Sequence, residues 1–287
     1  MMVAPEIPLL RNKYYMSPSV FLPANLLREA RRQKSSPEGE VPGICILDPD
    51  GDLVRFLQTT GQISICRHWA CYHTDLYEFE QEGIRYGIIG CAVGGSFAVL
   101  LAEQLFVSGC ELLISISSAG QINPHLNPPC FILIQSALRD EGTSYHYLPP
   151  SQYAHLPQFL NEILAHAFDQ FSPRMKRGKV WTTDAPYRET EQAIREARAV
   201  GILAVEMEAA SLYAFAESRK RPVVCFAHVT NQMGLIQGDF EKGENSGCED
   251  CFRLIHHVSY CWRKSVCKDK DDHFSETNTE EDEEILE

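Results

Sequence analysis

The strongest constraint in this sequence is an alternation of patterns. Short apolar runs give way repeatedly to segments with apolar residues at helical spacing. The apolar runs Val41–Leu47, Ile84–Cys91, Leu112–Ile116, Phe131–Ile134, Lys179–Thr182, Leu203–Val205 and Val223–Val229 read as strands. Between them, Leu53–Gln58, Ser96–Val107, Pro157–Phe171, Arg188–Ala197 and the stretch from Glu206 read as helices, and Cys251–Arg263 as a last one. Asp184, before a proline and a Glu-rich segment, reads as the N-cap of the Arg188–Ala197 helix. Such alternation defines an α/β fold with a mostly parallel or mixed central sheet. Neither an internal repeat nor a long internal linker breaks it, so residues 41–267 are read as a single domain.

Two flanks differ from that domain. Residues 1–40 form an arm with several prolines, a basic stretch from Arg28 to Lys34 and a short amphipathic helix near Asn25–Gln33. Residues 268–287 carry ten acids and two lysines, which is −8 of the total net charge of −13, and read as a disordered, solvated acidic tail. The rest of the chain is only mildly acidic, which argues against a nucleic-acid partner held through a basic surface. No apolar run reaches spanning length, so no membrane partner is expected. The N-terminal stretch lacks the apolar core of a secretory signal, and a cytoplasmic location is the expectation. Of the eleven cysteines, Cys45, Cys91, Cys110, Cys130 and Cys225 lie in or beside apolar runs and read as reduced, buried, small hydrophobes.

Polar and glycine residues cluster just after the strands: Gly51, Gly94 to Ser96, Ser117, Ser118, Asp184, Glu206, Glu208 and Asn231. In open α/β sheets, ligands bind in the crevice beyond the carboxyl ends of the strands. The segment VEMEAASLY at 205–213 puts two carboxylates at one strand-to-helix junction. If extended geometry persists, Glu206 and Glu208 project the same way. A carboxylate has four lone-pair sites and can accept from both hydroxyls of a diol. Alternatively, the two acids simply favour the N-terminal end of a helix dipole. Asn231 similarly reads either as a ligand-facing amide or as a strand-end turn residue.

Val205 to Tyr213 resembles the Val-Glu-Met-Glu-Ala-Ala signature of the nucleoside phosphorylase superfamily, which includes purine nucleoside phosphorylases, uridine phosphorylases and nucleoside hydrolases. The resemblance extends, in order, over residues 41–265. Gly51-Asp52-Leu53-Val54-Arg55 is similar to the family's Gly-Asp-Pro-x-Arg phosphate loop, with Leu53 for proline. Gly94-Gly95-Ser96 resembles its glycine-rich turn, Ser117 to Gly120 its Gly-Ser-Cys-Gly segment, and Thr182 to Tyr187 its base-pocket loop.

The resemblance implies an enzyme that cleaves the N-glycosidic bond of a purine or pyrimidine nucleoside with inorganic phosphate. The products are free base and ribose 1-phosphate, and neither metal nor organic cofactor takes part. It implies phosphate binding by Gly51, with an accessible N–H, and by Arg55, Ser115 and Ser118. Ribose would be bound by Glu206, Met207 and Glu208, with Glu208 accepting from the 2′- and 3′-hydroxyls. The base would be bound by Ala119, Gly120, Tyr187 and Asn231, and Glu208 and Asn231 would be the catalytic pair. It also implies a dimer-based homo-oligomer, with His68 or His73 as candidates for the 5′-hydroxyl. Two departures stand out. Ser115 replaces the family's second phosphate arginine, and Asn231 replaces the aspartate that protonates the base in many purine-specific members. The first keeps open a hydrolase that uses water, and both together a non-catalytic nucleoside-binding protein. Cys248, Cys251, His256, His257, Cys261 and Cys267 suggest a zinc cluster, but their spacing fits no Cys/His finger.

Overall fold

The structure is a computed structural model that describes residues 7–169, 171, 175–232, 242 and 244–281, with side chains as far as Cys267. Its strands are β1 (Ile44–Asp48), β2 (Ser64–Ile65), β3 (Tyr77–Gln81), β4 (Ile84–Gly90), β5 (Leu112–Gln121), β6 (Cys130–Asp140), β7 (Tyr153–His155), β8 (Met175–Thr183), β9 (Ile202–Glu206) and β10 (Val223–Asn231). Its helices are α1 (Pro23–Lys34), α2 (Asp52–Thr60), α3 (Gly95–Val107), α4 (Gln158–Ile163), α5 (Glu191–Ala199), α6 (Ala209–Arg219) and α7 (Cys248–Glu281).

All ten strands join one mixed sheet, in the order β10-β6-β8-β9-β5-β1-β4-β3-β2, with β7 on β6. An additional β10–β5 pairing closes part of this path into a ring of five strands. β5 makes both arrangements possible because its ten residues exceed any one partner. Its first half pairs with β1 (Ile44↔Leu112 through Leu47↔Ser115), and its far end pairs with β9 at Gly120↔Val205. Along its length it also pairs with β10, as far as Asn231↔Gly120. Gly120 is therefore flanked by β9 and β10 together, which gathers three strand ends at one place.

The expected α/β order holds, and three details differ. β3, with its half-polar YEFEQ pattern, is paired with β4 across a two-residue turn and carries the two-residue edge strand β2 on its other side. Glu82 (φ 50°) and Gly83 (φ 73°) in that turn have the positive φ values of a tight hairpin. The helix read over Pro157–Phe171 stops at Ile163, because the next carbonyls are taken by tertiary donors. Arg177 donates to Leu164 O and Ala165 O, and the His257 ring contacts Ala167 O. Finally, α5 is capped by Thr190, whose hydroxyl accepts from Ala193 N, and not by Asp184. Asp184 Oδ2 instead accepts from Gly142 N at 2.8 Å.

The arm is fastened to the domain. Leu27 and Ala30 of α1 are buried against Ala70, while Arg31 and Lys34 donate to the carbonyls of His68 and Cys71. At the other end, α7 runs through the segment read as an acidic tail as far as Glu281. Cys248 and Cys251, at the start of α7, lie in the main core, and His256 pairs with Glu82 at 3.1 Å. Of the five cysteines read as buried, Cys91 is exposed, because β4 ends at Gly90 just before it. Among the described residues, no helix is long and apolar enough to cross a membrane.

α6 is the central helix. Every residue from Ala209 to Ala216 is buried, so only its last turn, from Glu217, meets solvent. Tyr213 ties it to the ring: its hydroxyl donates to Ile134 O at 2.6 Å and accepts from Cys225 N at 3.1 Å. Replacing Tyr213 with Phe leaves both buried backbone groups without that partner. The expected loss is about 1–3 kcal/mol of unfolding free energy, read as a lower denaturation midpoint at unchanged m-value.

Candidate active site

A buried helix cannot satisfy its first N–H groups with water. In α6 the turn before the helix does so. Glu206, the last residue of β9, accepts from Glu208 N and Ala209 N through Oε2, both at 2.8 Å. Its Oε1 accepts from the hydroxyl of Thr182 on the neighbouring strand β8. Thr182 Oγ1 in turn accepts from Ala210 N at 3.0 Å. Three orphan donors are thereby paired, and the two acids diverge. Glu206 is turned into the helix cap, whereas the sequence reading placed it with Glu208 against the sugar. The tight turn, in which Glu208 already has φ −128° and ψ −38°, ends the strand alternation that would have aligned them.

Glu208 is held from two other sides. Its Oε1 accepts from Gly94 N at 2.7 Å and its Oε2 from Ser117 Oγ at 2.5 Å. Gly94 caps α3 with φ 90°, so the carboxylate also faces the positive end of that helix. The close approach depends on Gly95, where a Cβ would lie 2.1 Å from Ser211 Oγ of α6. Burial pushes the Glu208 carboxyl above the usual range, while the Ser117 and Gly94 donors pull it back. Burial, with Glu208 next to it, also raises Glu206.

Beside this turn lies the loop from β1 to α2. Asp48 organises it: Oδ1 accepts from Gly51 N at 3.1 Å and Oδ2 from Val54 N at 3.0 Å. Gly51 (φ 74°) also donates to Asp48 O at 2.9 Å, so its N–H is already taken. This corrects the expectation of an N–H open to phosphate. Arg55 folds back over the loop, donating to Asp50 O at 2.8 Å and Asp52 Oδ1 at 2.5 Å, with its side chain 59% exposed. Ser118 Oγ donates to Asp50 Oδ2. Lys242 Nζ reaches Asp50 Oδ2 at 2.8 Å and Asp52 Oδ2 at 2.6 Å.

Ala119, Gly120 and Asn231 stand together where β5, β9 and β10 meet. The Asn231 amide is within 3.4 Å of Thr230 Oγ1. Met207 lies between the two diverging acids. Two expected ligands are placed elsewhere. Ser115 is buried in the interior of the sheet, beside Leu47 and Cys225, because β5 extends six residues past it. Tyr187 lies in a short 3-10 turn and is 99% exposed on the single chain. His68 packs against Gly39, and His73 sits edge-on to Phe97 of α3 with centroids 6.5 Å apart.

The sequence reading missed Asp50, Lys242 and His228. His228 is buried, stacked on Phe131, and burial lowers its pKa to about 4. The Asp-x-Asp-x-Asp spacing at 48, 50 and 52 was visible as a signal; nothing marked Lys242.

A carboxylate at the carboxyl edge of a mixed sheet, with serines and a glycine–arginine loop beside it, lies in the region where α/β proteins bind small ligands, beyond the strand ends. Residues 43–258 match the family described as the phosphorylase superfamily, and the chain belongs to it. Among its relatives is a guanosine phosphorylase of Halorubrum lacusprofundi, 26% identical over 170 residues, covering 58% of this chain and 68% of that protein. A uridine phosphorylase of Thermococcus kodakarensis is 27% identical over 183 residues, covering 56% of this chain and 64% of the relative. The crystal structure of a Vibrio fischeri uridine phosphorylase shares the fold, with a TM-score of 0.65 at 18% identity, covering 77% of this chain and 93% of that one.

Asp48 gives the loop a pH signature. Burial, reinforced by Asp50 and Asp52, raises its carboxyl from 3.8 to about 7 despite two backbone donors. Between these values the folded state binds the proton that the unfolded state has lost, so unfolding free energy falls as pH rises from about 4 to about 7. Denaturant titrations across that range should show the decline, and Asp48→Asn should flatten it.

Proposed function

We propose that this protein is a nucleoside phosphorylase that splits the N-glycosidic bond of a purine or pyrimidine nucleoside with inorganic phosphate. The carrying observation is the placement of Glu208: a buried carboxylate fixed by Gly94 N and Ser117 Oγ, next to the loop that holds Arg55 and Ser118. Family membership and relatives named for guanosine and uridine phosphorolysis support the same reading.

In this reading Glu208 accepts hydrogen bonds from the ribose 2′- and 3′-hydroxyls, and Met207 lies against the sugar. Arg55, Ser118 and Lys242 hold phosphate. Lys242 supplies the second positive charge that Ser115 does not. As the C1′–N bond breaks, positive charge develops at C1′ and negative charge on the base. A phosphate oxygen forms the new bond to C1′, and the bonding pair leaves with the base, which takes a proton from solvent. Asn231 cannot supply that proton, but its amide can donate to the developing negative charge on a 6-oxopurine or a uracil. A 6-aminopurine gains less, since its departure benefits most from protonation. Phosphate is the co-substrate, and the chemistry calls on no metal or organic cofactor. The same reading carries a cytoplasmic enzyme built as a homo-oligomer, and a dimer partner over the exposed Tyr187 would give that ring a role at the base.

The deciding measurement is base release from inosine, guanosine, uridine and adenosine, each with and without phosphate. Phosphate-dependent release, with inosine, guanosine or uridine ahead of adenosine, is expected; release independent of phosphate overturns the reading. Glu208→Ala should lower kcat/KM for the preferred ribonucleoside by about a hundredfold or more, since two hydrogen bonds to a charged group are lost. The loss should be smaller for the 2′-deoxy substrate, which offers only one of those hydroxyls.

A further inference from the structure

The anion loop is full of its own acids. Arg55 is engaged by Asp52 Oδ1 and the Asp50 carbonyl, and Lys242 is shared between Asp50 and Asp52. Ser118 Oγ donates to Asp50 Oδ2, the same oxygen that receives Lys242. One carboxylate oxygen thus gathers a hydroxyl and an ammonium from two distant segments. Both are among the side-chain donors that the proposed function assigns to phosphate. Asp50 does not support the turn in the way Asp48 does. Its carboxylate caps no backbone N–H in the loop and remains 34% exposed, so it has room to swing away. Its charge also acts on Glu208, adding to the upward push of burial on that carboxyl.

We propose that the Asp50 carboxylate is an internal anion seated where a phosphate oxygen binds, and that its charge sets the affinity of the site for inorganic phosphate. The inference rests on the phosphorylase reading for its ligand. An incoming phosphate takes over Ser118 Oγ and Lys242 Nζ, and Asp50 rotates toward solvent. The donors are preorganised in the empty enzyme by a group that costs little to displace. The displaced carboxylate stays nearby and repels the bound phosphate, which holds affinity down.

The test compares the full-length wild type with Asp50→Asn, Asp50→Ser and Asp50→Glu. Two readouts are taken: the KM for phosphate at saturating nucleoside, and the Kd for inorganic phosphate by calorimetry without nucleoside. Removing one like charge a few ångströms from the anion in a partly solvated site should tighten both by about tenfold in the Asn and Ser variants. The Glu variant keeps the charge and should stay near wild type, an outcome that a purely structural role for Asp50 does not give. Unchanged or weaker phosphate binding in both neutral variants overturns the proposal. If the wild type shows no phosphate-dependent base release, the phosphorylase reading fails, while the calorimetric comparison still decides the role of Asp50.

Discussion

The site depends on how the N-terminus of α6 is satisfied. A helix buried on all sides at its start must find partners for its first N–H groups inside the protein, and Glu206 and Thr182 supply them. That cap fixes the turn between β9 and α6, and the turn fixes Glu208. With Glu206 committed to the backbone, only Glu208 is aimed at the Gly94 turn and Ser117. Two acids two residues apart thereby acquire separate surroundings, one holding the helix and the other held by the Gly94 turn and Ser117, where the proposed function places the ribose. The arrangement is costly in charge, because both carboxyls are buried close together and raised by it. It persists because every oxygen involved has a donor.

The second organising feature is β5. A strand longer than its neighbours can pair with β1 first and with β9 last, while running beside β10 throughout. This closes the ring and delivers Ser117, Ser118, Ala119 and Gly120 to the meeting point of three strand ends. Ser117 and Ser118 point to opposite faces, as strand neighbours must. One reaches Glu208 and the other Asp50, so a single dipeptide links the turn before α6 to the β1–α2 loop.

In the β1–α2 loop, charge balance is unusual for the phosphate-binding role proposed for it. Three aspartates stand within five residues, against Arg55 and a lysine brought from the segment before α7. Asp48 is spent on capping α2, and Asp52 on anchoring both cations. Asp50 is the remaining acid. Its partners are the groups an anionic ligand needs, which makes the loop self-occupied rather than open.

The sequence by itself determined the α/β class and the order of most strands and helices, because apolar periodicity and the glycines and acids at strand ends are local signals. Its resemblance to the family pointed to Glu208, Arg55, Ser118 and Asn231, whose roles are those of the proposed function. Where the sequence reading stopped short, the deciding contacts were distant in the chain. The end of α4 was set by Arg177 and His257, the length of β5 by its partners, and the different fates of Glu206 and Glu208 by Thr182 and Gly94. Gly51 lost its free N–H to a cap three residues earlier, and Ser115 was enclosed by neighbouring strands. Lys242 sits 192 residues from Asp50, and only the folded chain could show that these two meet. Periodicity reports which face of an element is apolar; which donor reaches which acceptor across the crevice is decided when the strands register and the helices pack.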